Sequence, residues 1–202
     1  MLRNSDFTSI IALSIPLSVH ENTIKDIFKC GFSPKKIDFI FSSQIIPPNK
    51  NVIVTFESND QAKLALQFYS CSIINYTTIH FYAADKETKK FLKEKKKTIY
   101  FYITDNIVSY PHFYGKCQEY GEIEFFQFDE KNSNGSVTFR YTENAIKARY
   151  ELERVKISGF HIKTSFSSLL ADHSRKEKDF SFFLQQTKNS QLPQKLKEGD
   201  DS

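Results

Sequence analysis

The chain has 202 residues, enough for one medium domain or two small ones. Apolar residues make up 40%, with 20 Phe and 10 Tyr, which supplies real cores and excludes wholesale disorder. The net charge of +4 is confined to Asp85–Lys97, where seven Lys face three acids; the flanking stretches 1–84, 98–167 and 168–202 balance to zero.

Taken in order, "SIIALSI" reads as a strand. "SVHENTIKDIFKCGF" reads as a helix with a cap at Ser18/Glu21, a core face of Ile24, Ile27 and Phe28, and a stop at Gly31. "KIDFIF" is the next strand, and "NVIVTF" (Asn51 to Phe56) alternates cleanly, sending Val52, Val54 and Phe56 one way and Asn51, Ile53 and Thr55 the other. "SNDQAKLALQF" predicts a helix capped by Ser58 with Gln61 three residues on, and "TTIHFYA" a strand burying Ile79 and Phe81. The lysine-rich run "DKETKKFLKEKKK" follows, read as a solvated linker or helix face.

The same order then returns. "TIYFYI" is a strand, "YPHFYGKCQEYG" a helix weakened by Pro111 and Gly115, "EIEFFQF" a strand, "DEKNSNG" a turn and "SVTFRY" a strand. "TENAIKARYELERV" predicts a helix capped by Thr142 with Ala145, Ala148 and Leu152 inward, and "FHIKTSF" closes the set. Because N-x-x-V-T-F recurs at Asn51 and Asn134 inside the same β-α-β-β-α-β order, the repeat is a whole module. The expected fold class is α+β: two ferredoxin-like modules, each a four-stranded antiparallel sheet with two helices on one face. The expected boundaries are 8–84 and 98–167, joined by a linker at 85–97 and followed by a polar tail at 168–202.

This order, with a regular third strand written "NKNVIVTF" and "NSNGSVTF", resembles the RNA recognition motif (RRM). Val54 and Phe56, then Gly135, Val137 and Phe139, match the tail of its third-strand signature, and "YGEI" and "ISGFHI" are similar as well. The tandem arrangement, with "FDEKNSNG" in the second module, also resembles the first two modules of cytoplasmic poly(A)-binding proteins. The resemblance implies binding of single-stranded RNA, mRNA included, by bases stacking on outer-face aromatics of the sheet.

The residues at those outer positions differ between modules. In the first they are Ala12, Asn51 and Ile53, so the platform lacks aromatics; His80 and Tyr82 on the last strand are further candidates. In the second, Tyr100 matches the first-strand aromatic, Tyr102 and Phe125 join it, and Asn134 and Ser136 replace the third-strand pair, with Lys163 nearby. Each ring has a bland alternative: filling a sheet face, packing on the tail, or turning inward at a bulge. Lys95, Lys96 and Lys97 in the linker are candidate phosphate contacts.

Other readings are excluded or left open by what the sequence lacks. There is no Gly-rich phosphate loop, no metal-ligand spacing among His20, His112, His161 and His173, and no nucleophile–base set, so neither an enzyme nor a cofactor or metal is expected. No apolar run approaches the roughly 18 residues of a membrane span, and a signal peptide is not expected at a start that carries Asp6 and soon meets Pro16. Cys30, Cys71 and Cys117 read as packing groups, consistent with nucleus or cytoplasm. The alternative function is a protein-interaction scaffold of a ribonucleoprotein complex, engaging a partner through the first module or the Phe-rich tail segment "DFSFFLQQ". That segment is expected either as a helix docking on the second module or as a short linear motif, with disorder after about Lys188.

Overall fold

The computed structural model of the chain describes residues 6–29, 31–42, 48–103, 109–157 and 159–168. The first module runs β1 (Ser9–Pro16), α1 (Glu21–Lys29), β2 (Lys36–Ser42), β3 (Asn49–Thr55), α2 (Asn59–Tyr69), β4 (Cys71–Ile74) and β5 (Thr77–Ala83). A connecting helix, α3 (Lys86–Lys93), leads to β6 (Thr98–Ile103), α4 (Tyr110–Gln118), β7 (Ile123–Asp129), β8 (Asn134–Phe139), α5 (Thr142–Arg154), β9 (Lys156–Ile157) and β10 (Phe160–Ser165). The sheets are ordered β2-β3-β1-β5-β4 and β7-β8-β6-β10-β9, so the β-α-β-β-α-β plan occurs twice. The Phe-rich tail segment lies outside the described residues.

Each sheet has five strands rather than the expected four. The extra strands, β4 and β9, pair with β5 and β10 ahead of the last long strand. In the first module a two-residue turn does this: Asn75 and Tyr76 take φ of 48° and 62°, the left-handed pair that matches hairpin twist.

Strand alternation sets the cores. Val52, Val54 and Phe56 in one module, and Val137 and Phe139 in the other, are buried against helices as their spacing predicts. Phe28 meets Phe56 and Phe81 edge-on, and Phe101 lies 4.4 Å from Phe113. Gly135 keeps the place that the signature reserves for a small residue, since a Cβ there would sit 2.0 Å from the Gln127 carbonyl oxygen.

Three local expectations shift. Ser58 does cap α2, accepting the Gln61 N–H at 3.2 Å, but α1 begins at Glu21, where His20 Nδ1 accepts the Asn22 N–H at 3.2 Å. In α5, Thr142 is the first helical residue and Tyr141 the cap position. Ala12 is not on the outer face: it packs in the core with Ile10, while Ile11 and Leu13 face outward. The strand then changes register between Ala12 and Ile15, with Ser14 at φ 55°, so parity cannot be extrapolated through the bulge.

The lysine-rich run is an amphipathic helix, not a free tether. Asp85 Oδ1 accepts the Thr88 N–H at 2.7 Å, fixing the start of α3. Thr88, Phe91 and Leu92, at i, i+3 and i+4, form a buried stripe, and the lysines take the rest of the surface.

Candidate nucleic-acid interface

The first sheet's outer face is covered by the second module. Its central row is Ile53, Ile11 and Tyr82, paired directly across β3, β1 and β5. All three pack in one apolar cluster with the second module's core and with Phe91 and Leu92 of α3. Tyr82 is 2% exposed. Its ring stacks on Tyr150 of α5 at 5.3 Å and 17°, with the Arg154 guanidinium 5.6 Å from its centroid.

A polar network locks this contact. The Tyr150 hydroxyl donates to the Ala83 carbonyl and lies 2.8 Å from Thr88 Oγ1. Arg149, buried, donates to Thr88 Oγ1 at 3.1 Å, lies 3.6 Å from the Asp85 carboxylate and covers the Phe166 ring at 4.4 Å. Burial pushes the Tyr150 phenol up to about 12, and burial with the Glu151 charge raises Tyr82 further. At the other end Asn51 is spent internally: its Oδ1 accepts the Ser14 N–H exposed by the bulge at 3.0 Å, and its Nδ2 donates to Glu143 Oε1 at 2.9 Å. The exposure expected of Asn51 and Tyr82 is therefore absent and that of Ile53 is reduced, because α5 occupies much of the face they form. His80 alone of the first-module candidates is exposed, beyond the edge of that contact.

The second sheet differs. Tyr100 pairs with Ser136 and Ser165, and Tyr102 with Asn134 and Lys163, so these residues lie in two adjoining outer rows. Tyr100, Ser136 and Asn134 are half-buried, Lys163 is exposed, and Tyr102 is buried at 7%. The ladder slips between Ile123 and Phe125, but the slip turns Phe125 outward, 59% exposed, while Phe126 and Phe128 point to the core.

Tyr100 stands in a cleft of about 590 Å³ whose other wall is α3 and the turn after it, with Lys90, Lys96 and Lys97 at the rim and Phe91 and Phe166 stacked at 3.9 Å beside it. Lys96 lies 2.7 Å from Glu94 and Lys97 3.5 Å from Glu124, both exposed pairs of little stabilising weight. Lys95, at φ 51°, turns instead into a second cleft between the modules, which Lys97 also borders. The lysines of one short helix thus serve two clefts. Sequence reading missed this helix packing, and the i, i+3, i+4 stripe of Thr88, Phe91 and Leu92 was its signal.

Among the described residues no cluster of His, Cys, Asp or Glu could hold a metal ion, and no helix is long and apolar enough to cross a membrane. Cys117 is buried, which pushes its thiol up to about 12, whereas Cys71 is exposed.

No family model matches the chain, and no curated protein matches its sequence. Among solved structures it is similar to the N-terminal three RNA binding domains of the yeast splicing factor Prp24, at 15% identity over 80% of this chain, with a TM-score of 0.35. It spans 63% of that chain, less than two thirds of its length. It is also similar to Sex-lethal RNA recognition domains 1 and 2 from Drosophila melanogaster (13% identity, 79% of this chain and 99% of that one, TM-score 0.34). The first two RRM domains of the yeast poly(U) binding protein Pub1 match at 12% identity over 79% and 99%, with a TM-score of 0.34. The chain's own strand order, read twice through helices on one face of each sheet, is that of the motif its sequence resembles. In fold, the chain is two tandem ferredoxin-like β-α-β-β-α-β modules.

Proposed function

We propose that the protein is a non-catalytic single-stranded RNA-binding protein that takes RNA on the outer face of its second sheet. One observation supports this above others: Tyr100 stands half-buried in a cleft rimmed by Lys90, Lys96 and Lys97, whose charges outnumber those of Glu87 and Glu94 in the same lining. An aromatic face beside several cations is what a nucleotide requires, since the ring stacks on the base and the ammonium groups meet the phosphates. Ser136, Asn134 and Lys163 supply polar contacts along the same face, and Phe125 offers a second ring toward the β7 edge. The wall of lysines comes from α3 and the turn after it; α3 is fixed by Thr88 and Asp85 on Arg149 of α5, with Lys89 also bonded to Ser9 of the first module.

The test is fluorescence anisotropy of the full chain with the four homopolymeric RNAs at two salt concentrations. Tyr100→Ala is expected to lose roughly 1–3 kcal/mol of affinity for the preferred homopolymer. Absence of binding to all four, or an unchanged constant in the variant, rejects the reading. A second reading, a scaffold that binds a protein partner, is favoured by the closure of the first sheet, which removes the face by which that module would hold RNA.

A further inference from the structure

We propose that the cleft between the modules is a docking site for an extended acidic peptide segment with apolar anchor residues. The cleft measures about 520 Å³ and lies where α5 stops covering the first sheet, over the outer side of β2 and β3. Its floor is aliphatic: Ile40 and Ile53 line it, with Ile40 39% exposed and Phe41 62% exposed at the rim. Such exposed apolar side chains at the mouth of a cleft mark a surface that a partner covers.

The opposite wall is basic. Lys89, Lys93 and Lys95 come from α3 and the turn after it, and Arg140 closes the end. Lys93 and Lys95 make no ion pair among the described residues, so their charge is available to a partner. Lys89 is tied to Ser9 Oγ at 2.7 Å, and Arg140 to Glu122 at 2.8 Å. Two carboxylates interrupt the cations: Asp38 in the floor, which pairs with Lys36, and Glu143 at the deep end, which accepts from Asn51.

The aliphatic floor and the edge of β2 together favour a peptide over RNA. A phosphate at every step of a nucleic-acid strand would meet Asp38 and Glu143, although Phe41 and Tyr141 in the lining offer rings as well. A peptide places its charges only where its sequence puts them. Moreover, β2 is an edge strand, paired among the described residues with β3 alone, so its outer backbone groups are available to an added strand. Alternate side chains of such a strand would fall on the Ile40 floor, and its acidic residues would reach Lys93 and Lys95. This surface is independent of the RNA reading: it uses the module whose stacking face is closed.

The experiment is selection of a random phage-displayed peptide library on the immobilised full chain, followed by anisotropy titration of the most enriched peptide. Enrichment of Asp and Glu beside Leu, Ile or Phe is expected, and Ile40→Asp and Lys93→Glu should each weaken that peptide about tenfold or more. Exchanging its critical acid for Lys should restore affinity toward Lys93→Glu, which separates a direct contact from a folding defect. Enriched peptides with no acidic bias, or affinity untouched by both substitutions, would overturn the proposal. So would a uridine oligomer that displaces the peptide and shifts the Ile40 and Lys93 amide resonances, which would assign the cleft to nucleic acid.

Discussion

Ile11, Leu13, Ile53 and Tyr82 on the first sheet and Tyr100, Ser136, Asn134 and Phe125 on the second occupy the same side of the same fold, yet the first set packs under α5 while the second faces a cleft and solvent. An RRM-like sheet has one face committed to its own helices and one face free. In the first module the free face has become a docking surface for a helix of its neighbour. Aliphatic residues and a Tyr–Tyr stack suit that role, since the gain comes from area removed from water, about 25 cal/mol per Å². The lesson is that missing aromatics on such a face can mean a different occupant of the face, and not merely a lost one.

Several substitutions would break or sharpen this contrast. The largest effects belong to the two cores: Phe56→Ala and Phe139→Ala should each cost roughly 3–5 kcal/mol in a urea titration. Both should move one shared unfolding transition if docking makes the modules a single cooperative unit; two separated transitions would say that the interface is weak. Next comes the lock itself. Arg149→Ala leaves Asp85 and Thr88 without their buried partner and should cost about 3 kcal/mol, again read by urea titration. Tyr100→Ala should do the reverse of Tyr82→Ala: the first lowers RNA affinity by about 1–3 kcal/mol with an unchanged melting curve, and the second lowers melting through the lost stack on Tyr150.

pH offers a probe of the closed face, set against Tyr120 and Cys117 of the second module, which burial also pushes up to about 12. Folding raises the phenol pKa of Tyr82 and Tyr150, so the folded state holds these protons more tightly than the unfolded chain. Their contribution is whole below the ordinary tyrosine pKa near 10 and falls as pH climbs through about 12 for Tyr150. Stability monitored by circular dichroism should therefore drop in that window, and Tyr150→Phe should flatten the drop. The smallest effect is electrostatic. Replacing Lys90, Lys96 and Lys97 with Gln should flatten the slope of log RNA affinity against log salt by about two, with base preference unchanged; replacing Lys93 and Lys95 should leave it nearly as it was.

Much of the fold could be read from periodicity. The alternation in "NVIVTF" and "NGSVTF" placed Phe56 and Phe139 inward, and Ser58 capped α2 as spaced. What escaped was long-range. Asn51, Ile53 and Tyr82 have the right parity for an outer face, and local pattern cannot say that a helix from another module lies there. A signal was nevertheless present in Ile10, Ile11, Ala12 and Leu13: an unbroken apolar run in a strand means that both faces are covered. The helix in the lysine run was hidden by charge, since seven lysines obscure a three-residue apolar stripe. Ala12 was misplaced by one position, since Ile11 pairs with Ile53 and Tyr82 in the outer row and an unbroken apolar run carries no parity signal.

The central claim is that RNA meets only the second sheet because α5 keeps the first one closed. Titrating the isotopically labelled full chain with the homopolymer it prefers, and following amide resonances, tests it most directly. Shifts are expected at Tyr100, Ser136, Asn134 and Phe125 and along Lys90, Lys96 and Lys97, with Ile11, Ile53 and Tyr82 unmoved. Comparable shifts at Ile11, Ile53 and Tyr82, with loss of the Tyr82–Tyr150 contact, would show that RNA opens the interface and would contradict the account.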